Sequence, residues 1–320
     1  MTGVTVRVPA KLNLQLAVGP PRADGYHDLV TVFHAVSLYD QVRVESAGRD
    51  GVTVTGEGAD RIPADRDNLA LRAVAALRAA VRDSGTGTPG VRVTIAKKIP
   101  VAAGLAGGSA DAAAALVACN ELWATGLSQQ QLGAIAATVG SDVAFALLGG
   151  TAVGRGRGEQ LTPALAPATQ YHWVLAFADG QLSTPAVYAA LDRLRSAPAA
   201  ETAEAARSAV PAPAAQPGLD AALMSALRTG NAAQVGQRLS NDLQPAAVSL
   251  FPALRKTLNA GLELGALGAL VAGSGPTCVF LAANAERALE LAVSLSGAGV
   301  CRSVARVSGP VPGAAVISAR

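Results

Sequence analysis

The chain opens on short stretches in which apolar or β-branched residues alternate with polar ones, at 4–8, 13–18, 30–38, 42–45 and 52–55. Turns rich in Gly, Pro and Asp separate them, so the period of two predicts five strands. Over 68–82 the pattern changes: Leu69, Ala73, Leu77 and Val81 recur at helical spacing, with Asp67 as the expected cap. A further strand over 91–96 runs through Lys97 and Lys98 into a glycine-rich turn, and an alanine-rich helix follows over 110–123, stopped near Gly126. Ser128 and Gln131 form a capping-box pair for the next helix, which ends by Gly140. Later apolar runs at 171–177, 267–271, 277–282 and 301–307 read as strands separated by helical segments. The stretch 196–218 is rich in Ala and Pro with no apolar period and reads as a surface excursion. Strands first and mixed helices later, without an internal repeat or a regular βαβ alternation, predict an α+β fold.

Composition bounds this picture without changing it. A length of 320 residues exceeds the usual single-domain size of roughly 100–200, so two domains or lobes are expected. Half the residues are hydrophobic and 15% are charged, enough apolar material for a substantial core and too little charge for disorder. With aromatics at 3%, packing must rely on small side chains. The 26 basic and 23 acidic residues leave a net charge of +3, and no basic run reaches five, which argues against a nucleic-acid surface. Cys119, Cys278 and Cys301 lie in apolar stretches without CxxC spacing and are expected to be buried free thiols in a reducing cytoplasm. The first eight residues lack an apolar h-region, so no export signal is expected there. The uncharged stretch 264–284 is interrupted by Gly265, Gly268, Gly273, Gly275 and Pro276, which predicts two short strands around a tight loop rather than a membrane span.

Four segments carry chemistry. Pro100-Val101-Ala102-Ala103-Gly104-Leu105-Ala106-Gly107-Gly108-Ser109 joins a strand to a helix. Such a turn exposes unpaired N–H groups and the positive end of the helix dipole, which suit a polyphosphate. It is neither GxxxxGK[ST] nor GxGxxG, so the two commonest phosphate-loop families are disfavoured. Near the amino terminus, Lys11 and Asn13 are two residues apart and so share one strand face, where an ammonium can neutralise an alkoxide or a phosphate. Asp142 opens a short helix after Gly140-Ser141, and Gly273-Ser274-Gly275-Pro276-Thr277 turns between apolar runs. Taken singly, these are an ordinary solvated lysine, an ordinary cap and an ordinary hairpin. Their joint occurrence, in this order, is the informative observation.

In that order the segments resemble the GHMP kinase superfamily: PAKLNLQLAVG, RADGYHDLVTVFHAVSLYDQV, IPVAAGLAGGSADAAAAL, VGSDVAFALLGGTAVGRGRGE and GSGPTCVF. The GYH block resembles the branch that phosphorylates a cytidine-diphosphate-bearing alcohol on the non-mevalonate route to isoprenoid precursors. The resemblance implies a two-lobed α+β body, 1–163 and 164–320, with the active site in the cleft between the lobes. It implies ATP and Mg²⁺ as cofactors, with no protein ligand assigned to the metal. The ATP phosphates would sit on Pro100 to Ser109, with Asn68 and Lys97 on the adenosine side and Lys11 and Asp142 at the chemical step. Asn13, Tyr26, His27, Thr184, Tyr188, Gly273, Ser274 and Gly275 would bind the substrate, Tyr26 and Tyr188 stacking on cytosine and His27 reading its polar edge. The expected partner is that small molecule, not nucleic acid or membrane, for a cytoplasmic monomer or homodimer. Ala106 and Ala144 depart from the family pattern, where Gly and Pro are frequent, but neither change removes a reactive group. The alternatives are another GHMP kinase, of homoserine or mevalonate type, or a basic RNA-associated module. The latter requires a clustered basic face with stacking aromatics, which the chain lacks.

Overall fold

The structure, a computed structural model, describes residues 3–164, 169–196 and 216–319. In chain order its strands and helices are β1 Gly3–Pro21, β2 His27–Ala47, β3 Gly51–Gly56, α1 Leu69–Ala80, β4 Gly90–Lys97, α2 Gly107–Leu122, α3 Gln129–Val139 and α4 Ser141–Leu148. There follow β5 Thr151–Gly156, β6 Gln160–Pro163, β7 Tyr171–Phe177, α5 Thr184–Ser196, α6 Ala221–Thr229, α7 Ala232–Gln237 and β8 Ser240–Asn241. The chain closes with α8 Gln244–Leu250, α9 Ala253–Glu263, β9 Gly268–Val271, β10 Cys278–Ala282, α10 Ala285–Gly297, β11 Ser303–Gly309 and β12 Ala315–Ala319. Residues 197–215, most of the Ala/Pro-rich excursion, lie outside the described residues.

Two sheets organise the molecule. The larger runs β12-β1-β2-β4-β3, with β5 and β6 continuing from β2 and β8 pairing with β1. The smaller is antiparallel, β11-β7-β10-β9. Strands β8 and β12 come from the second half of the chain, so the larger sheet draws on both halves.

The four short strands expected over 4–18 and 30–45 fuse into two long ones, β1 and β2, paired antiparallel over nearly their whole length. The register shifts at Pro9/Ala10 and again at Asn13/Gln15. A proline has no N–H to give the ladder, so a shift beside Pro9 lets the strand continue past it. On β2 the polar pair Asp40-Gln41 does not turn, because the Asp40 carboxylate finds donors on β4 and just beyond it. Where a polar residue in an apolar run is paired internally, the period-of-two reading wrongly breaks the strand.

Helix α2 explains the alanine content. Nine of its residues are buried, seven of them Ala or Cys, and it packs against α1, α4 and the larger sheet. A helix covered on almost every side must be apolar almost all round, and small side chains let its neighbours approach closely. Helix α1 is capped by Asn68, whose Oδ1 accepts the Ala70 N–H at 2.9 Å, and not by Asp67. The Asp67 N–H instead turns back to Asp65 Oδ1 at 3.0 Å. The capping box of α3 forms as expected, Gln131 N–H to Ser128 Oγ at 3.3 Å and Ser128 N–H to Gln131 Oε1 at 2.9 Å.

Stretch 264–284 folds as β9 and β10 around a turn, and no described helix is long and apolar enough to cross a membrane. Cys119 and Cys278 are buried, and burial pushes both thiols up to about 12. Cys301, expected to be buried with them, is only half-buried.

Candidate functional site

A cavity of about 550 Å³ lies where β1, β2, the 100–109 turn, α4, α5 and the Gly273-Ser274 turn converge. The β1–β2 pair places Lys11 opposite Ala35 and Asn13 opposite Phe33. Lys11 Nζ donates to Asn13 Oδ1 at 2.7 Å, Asn13 Nδ2 to Thr31 Oγ1 at 2.8 Å, and Thr31 Oγ1 to the Gln15 carbonyl at 2.7 Å. This chain fixes a nearly buried ammonium at the cavity wall, with the Phe33 ring 5.8 Å from it. Lys11 and Asn13 therefore share a face as their spacing predicts.

Asp142 stands in the first turn of α4, but the helix has no side-chain cap and its N-cap is Gly140. The carboxylate is thus not spent on the helix. Its Oδ2 lies 3.8 Å from Lys11 Nζ, and about a third of the side chain remains open to the cavity. Tyr188 is on the same wall, its phenol pushed above the ordinary tyrosine value by burial first and by the Asp142 carboxylate second.

The glycine-rich segment is more strained than its composition suggests. Ala102, Gly104 and Ala106 all have left-handed φ, at 53°, 77° and 57°. Left-handed alanines cost roughly 1–2 kcal/mol each and persist only where the surroundings hold them. Helix α2 begins at Gly107 rather than at Ala110, so Gly107, Gly108 and Ser109 form its first turn. Its N-cap, Ala106, offers no side-chain acceptor, and the first-turn N–H groups are left for an anion. A Cβ on Gly107 would meet Lys97 Nζ at 3.0 Å and Ile99 Cγ2 at 3.1 Å, so that position faces inward. At Gly108 the nearest atom is Leu69 Cδ1 at 3.4 Å, which leaves room. Gly108→Val is therefore expected to fold normally yet weaken binding of an ATP analogue by at least tenfold, roughly the loss of one charge-assisted hydrogen bond. Calorimetric titration beside a melting curve checks this, and unchanged affinity would remove the segment from the nucleotide site.

The remaining predicted residues divide. Asn68, Thr184, Tyr188, Gly273 and Ser274 line the cavity, and Thr184 Oγ1 and Ser274 Oγ are hydrogen-bonded at 2.8 Å. Leu105 is buried in the core and Gly275 lies behind the turn, both outside the wall. Lys97 reaches the wall, but its ammonium is held by two buried carboxylates, Asp40 and Asp111. Tyr26 is 56% exposed with the Arg157 guanidinium 5.4 Å from its ring, and it stands outside the wall that Arg157 helps to line. His27 is buried behind Tyr188, their ring centres 5.0 Å apart, with Nε2 3.0 Å from Asp192 Oδ1.

Sequence reasoning missed Asp40, Asp111, Asp192 and Asn241. Asn241 donates to the Val271 and Gly273 carbonyls at 2.7 Å each and so holds the 273–277 turn. For Asp111 a signal existed: a lone acid inside an otherwise apolar alanine run has to be paired to be buried there.

Comparison with known proteins places this geometry among relatives. The model of the GHMP kinases N-terminal domain matches residues 68–150, and that of the GHMP kinases C-terminal domain matches 223–301. The chain is 54% identical over 316 residues to 4-diphosphocytidyl-2-C-methyl-D-erythritol kinase of Mycolicibacterium smegmatis, covering 99% of this chain and 93% of that protein. It is 52% identical to the protein of the same name from Thermobifida fusca, covering 99% of each. Among solved structures, a 4-(cytidine 5'-diphospho)-2C-methyl-D-erythritol kinase superposes with a TM-score of 0.70 at 33% identity, over 95% of this chain and 98% of that one. A homoserine kinase from Cytophaga hutchinsonii shares the fold, with a TM-score of 0.72 at 22% identity over 98% and 97% of the two chains.

Proposed function

Because the chain belongs to the GHMP kinases, within the group of 4-diphosphocytidyl-2-C-methyl-D-erythritol kinases, we propose that it moves the γ-phosphoryl of ATP to the 2-hydroxyl of that cytidyl alcohol. The single observation carrying this reading is the Lys11–Asp142 pair, facing a cavity that the uncapped start of α2 also lines.

ATP would lie with its phosphates on the first-turn N–H groups of α2 and on the strained 100–106 segment, its adenosine toward Asn68 and the neighbouring Pro63, both on the cavity wall. The alcohol enters from the Thr184–Ser274 side. Asp142 accepts the hydroxyl proton or orients the hydroxyl, and Lys11 stabilises the developing alkoxide. Phosphoryl transfer needs little covalent help, so positioning and charge do most of the catalysis. Mg²⁺ comes with the nucleotide. Such ions take one or two protein carboxylates beside the phosphates, and Asp142, partly open to the cavity, supplies an oxygen of the right kind. When bound, the ion would neutralise the negative charge of the transferring phosphates.

For the cytidine end, Tyr188 and Tyr26 are the stacking candidates. His27, with Nε2 engaged by Asp192, offers Nδ1 to the polar edge of the base. Tyr188→Ala is expected to raise KM for the cytidyl substrate at least a few-fold with little change in KM for ATP, since an aromatic stack contributes roughly 0.5–1.5 kcal/mol beyond area burial. An equal rise in both constants would remove Tyr188 from the base site. The function itself is tested by ATP consumption with the cytidyl alcohol, homoserine and mevalonate side by side. Turnover confined to the first supports the proposal, and preference for either of the others overturns it.

A further inference from the structure

Beneath the nucleotide-binding turn lies a buried group of three charged side chains, of which only Lys97 is among the residues expected at the nucleotide. Asp40 comes from β2, Lys97 from the end of β4 and Asp111 from the second turn of α2. All three are less than 5% exposed. Lys97 Nζ bridges them, bonded to Asp40 Oδ2 and, at 2.7 Å, to Asp111 Oδ2. Asp40 Oδ1 accepts the Lys98 and Ile99 N–H groups at 2.6 and 2.9 Å, where the chain leaves β4 for the glycine-rich turn. The group therefore pins both ends of that turn, the strand exit through Asp40 and the helix start through Asp111.

Its charge does not balance. One ammonium faces two carboxylates, and Asp111 Oδ1 is buried with no hydrogen-bond partner. An isolated carboxylate oxygen away from water is costly when ionised and much less so when protonated. The charged groups that face Asp111 are Lys97 from β4 and Asp40 from β2. Both the Asp111 and Lys97 side chains also help to line the nucleotide cavity.

We propose that at alkaline pH, where the free protein holds Asp111 ionised, nucleotide binding on the 100–109 turn is coupled to proton uptake by Asp111, which becomes a neutral acid hydrogen-bonded to Lys97 when the phosphates arrive. The step balances simply: solvent supplies one proton, which adds to Asp111 Oδ1, and no other bond forms or breaks. A polyphosphate at the start of α2 raises the negative field at a carboxylate one turn further along, and in a low-dielectric interior that field is weakly screened. Lys97 is then left with one anionic partner instead of two. Burial has already moved Asp111 most of the way, pushing it up to about 8 even with Lys97 opposing the shift.

The sign follows. Below that value Asp111 is neutral with or without nucleotide, and affinity does not depend on it. Above it the free protein is ionised there, binding must take up a proton, and affinity falls as pH rises, by at most about tenfold per unit.

This inference rests on the nucleotide reading of the turn, and the test separates the two. A non-hydrolysable ATP analogue is titrated calorimetrically into the full chain at about pH 8.5, in two buffers of different ionisation enthalpy, with wild type and Asp111→Asn. The expected result is net proton uptake in wild type that exceeds that of Asp111→Asn by a substantial fraction of a proton. A wild-type affinity that falls several-fold across about pH 7–9, while the variant's stays flatter, accompanies it. Binding with the same proton count in both proteins overturns the coupling and leaves the site assignment standing. Absence of binding to wild type overturns both. Should Asp111→Asn fail to fold, the carboxyl carbon of Asp111 followed by NMR in wild type carrying labelled aspartate decides the question. Its titration must move to higher pH when the analogue is added, and an unmoved titration sinks the proposal.

Discussion

Asp142→Asn is expected to lower kcat by about 10²–10⁴, the usual contribution of a general acid–base group, with a much smaller effect on nucleotide binding. Asn keeps the shape of the side chain and removes its charge. Because the carboxylate neither caps α4 nor is fully buried, the variant should melt close to wild type. Lys11→Ala should act in the same direction. It also strips Asn13 of its donor and leaves the Asn13–Thr31 and Thr31–Gln15 bonds as the remainder of the chain that held the ammonium. The two residues are 3.8 Å apart, and in the proposed reaction they act on the same proton and the same developing charge. The double variant is therefore expected to lose far less than the product of the single losses, as members of one catalytic unit do. Single-turnover rates for the four proteins of the cycle provide the check, and fully multiplicative losses would mean that Lys11 and Asp142 work separately.

The second large effect is expected at Gly104, through the backbone alone. Its φ of 77° is left-handed, and a Cβ built there would lie 2.0 Å from the Ala272 carbonyl oxygen and 3.1 Å from the Gly275 nitrogen. Neither neighbour is a flexible side-chain end that can swing aside. Gly104→Ala must push the glycine-rich turn away from the 273–277 turn, opening the cavity where its two walls touch. Left-handed strain of roughly 1–2 kcal/mol and overpacking of roughly 1–3 kcal/mol together predict a loss of about 2–5 kcal/mol in stability. In the proposed reading the glycine-rich turn holds the nucleotide and the 273–277 turn borders the alcohol, so kcat/KM should fall for both. Denaturant unfolding with the steady-state constants tests this. A variant of wild-type stability and wild-type kcat/KM would show that the two turns are not rigidly apposed.

The physical basis of these predictions was unevenly legible in the linear chain. Lys11 and Asn13 were readable because a strand's period of two puts residues i and i+2 on one face wherever the strand sits. The boundaries of β4, α3 and β7 were readable for a similar reason: their apolar spacing and the Ser128–Gln131 box are local, and tertiary packing did not override them. The fusion of the early strands into β1 and β2 was not readable, because it depends on Asp40 finding donors more than fifty residues away.

By itself, then, the sequence determined the α+β class, the placement of the glycine-rich turn between a strand and a helix, and the shared strand face of Lys11 and Asn13, whereas Asp142 was singled out by the family resemblance. The first three follow from local periodicity, capping and backbone chemistry, which a segment carries wherever it is placed. Only the tertiary structure decided that Gly104 makes close backbone contact with Ala272. It alone decided that Lys97 is shared by two buried carboxylates, and that the ring neighbour of Tyr188 is His27. Each of these is a contact between segments far apart in the chain, and its energy comes from removing water and bringing charges and backbones together, so nothing in either segment alone could specify it.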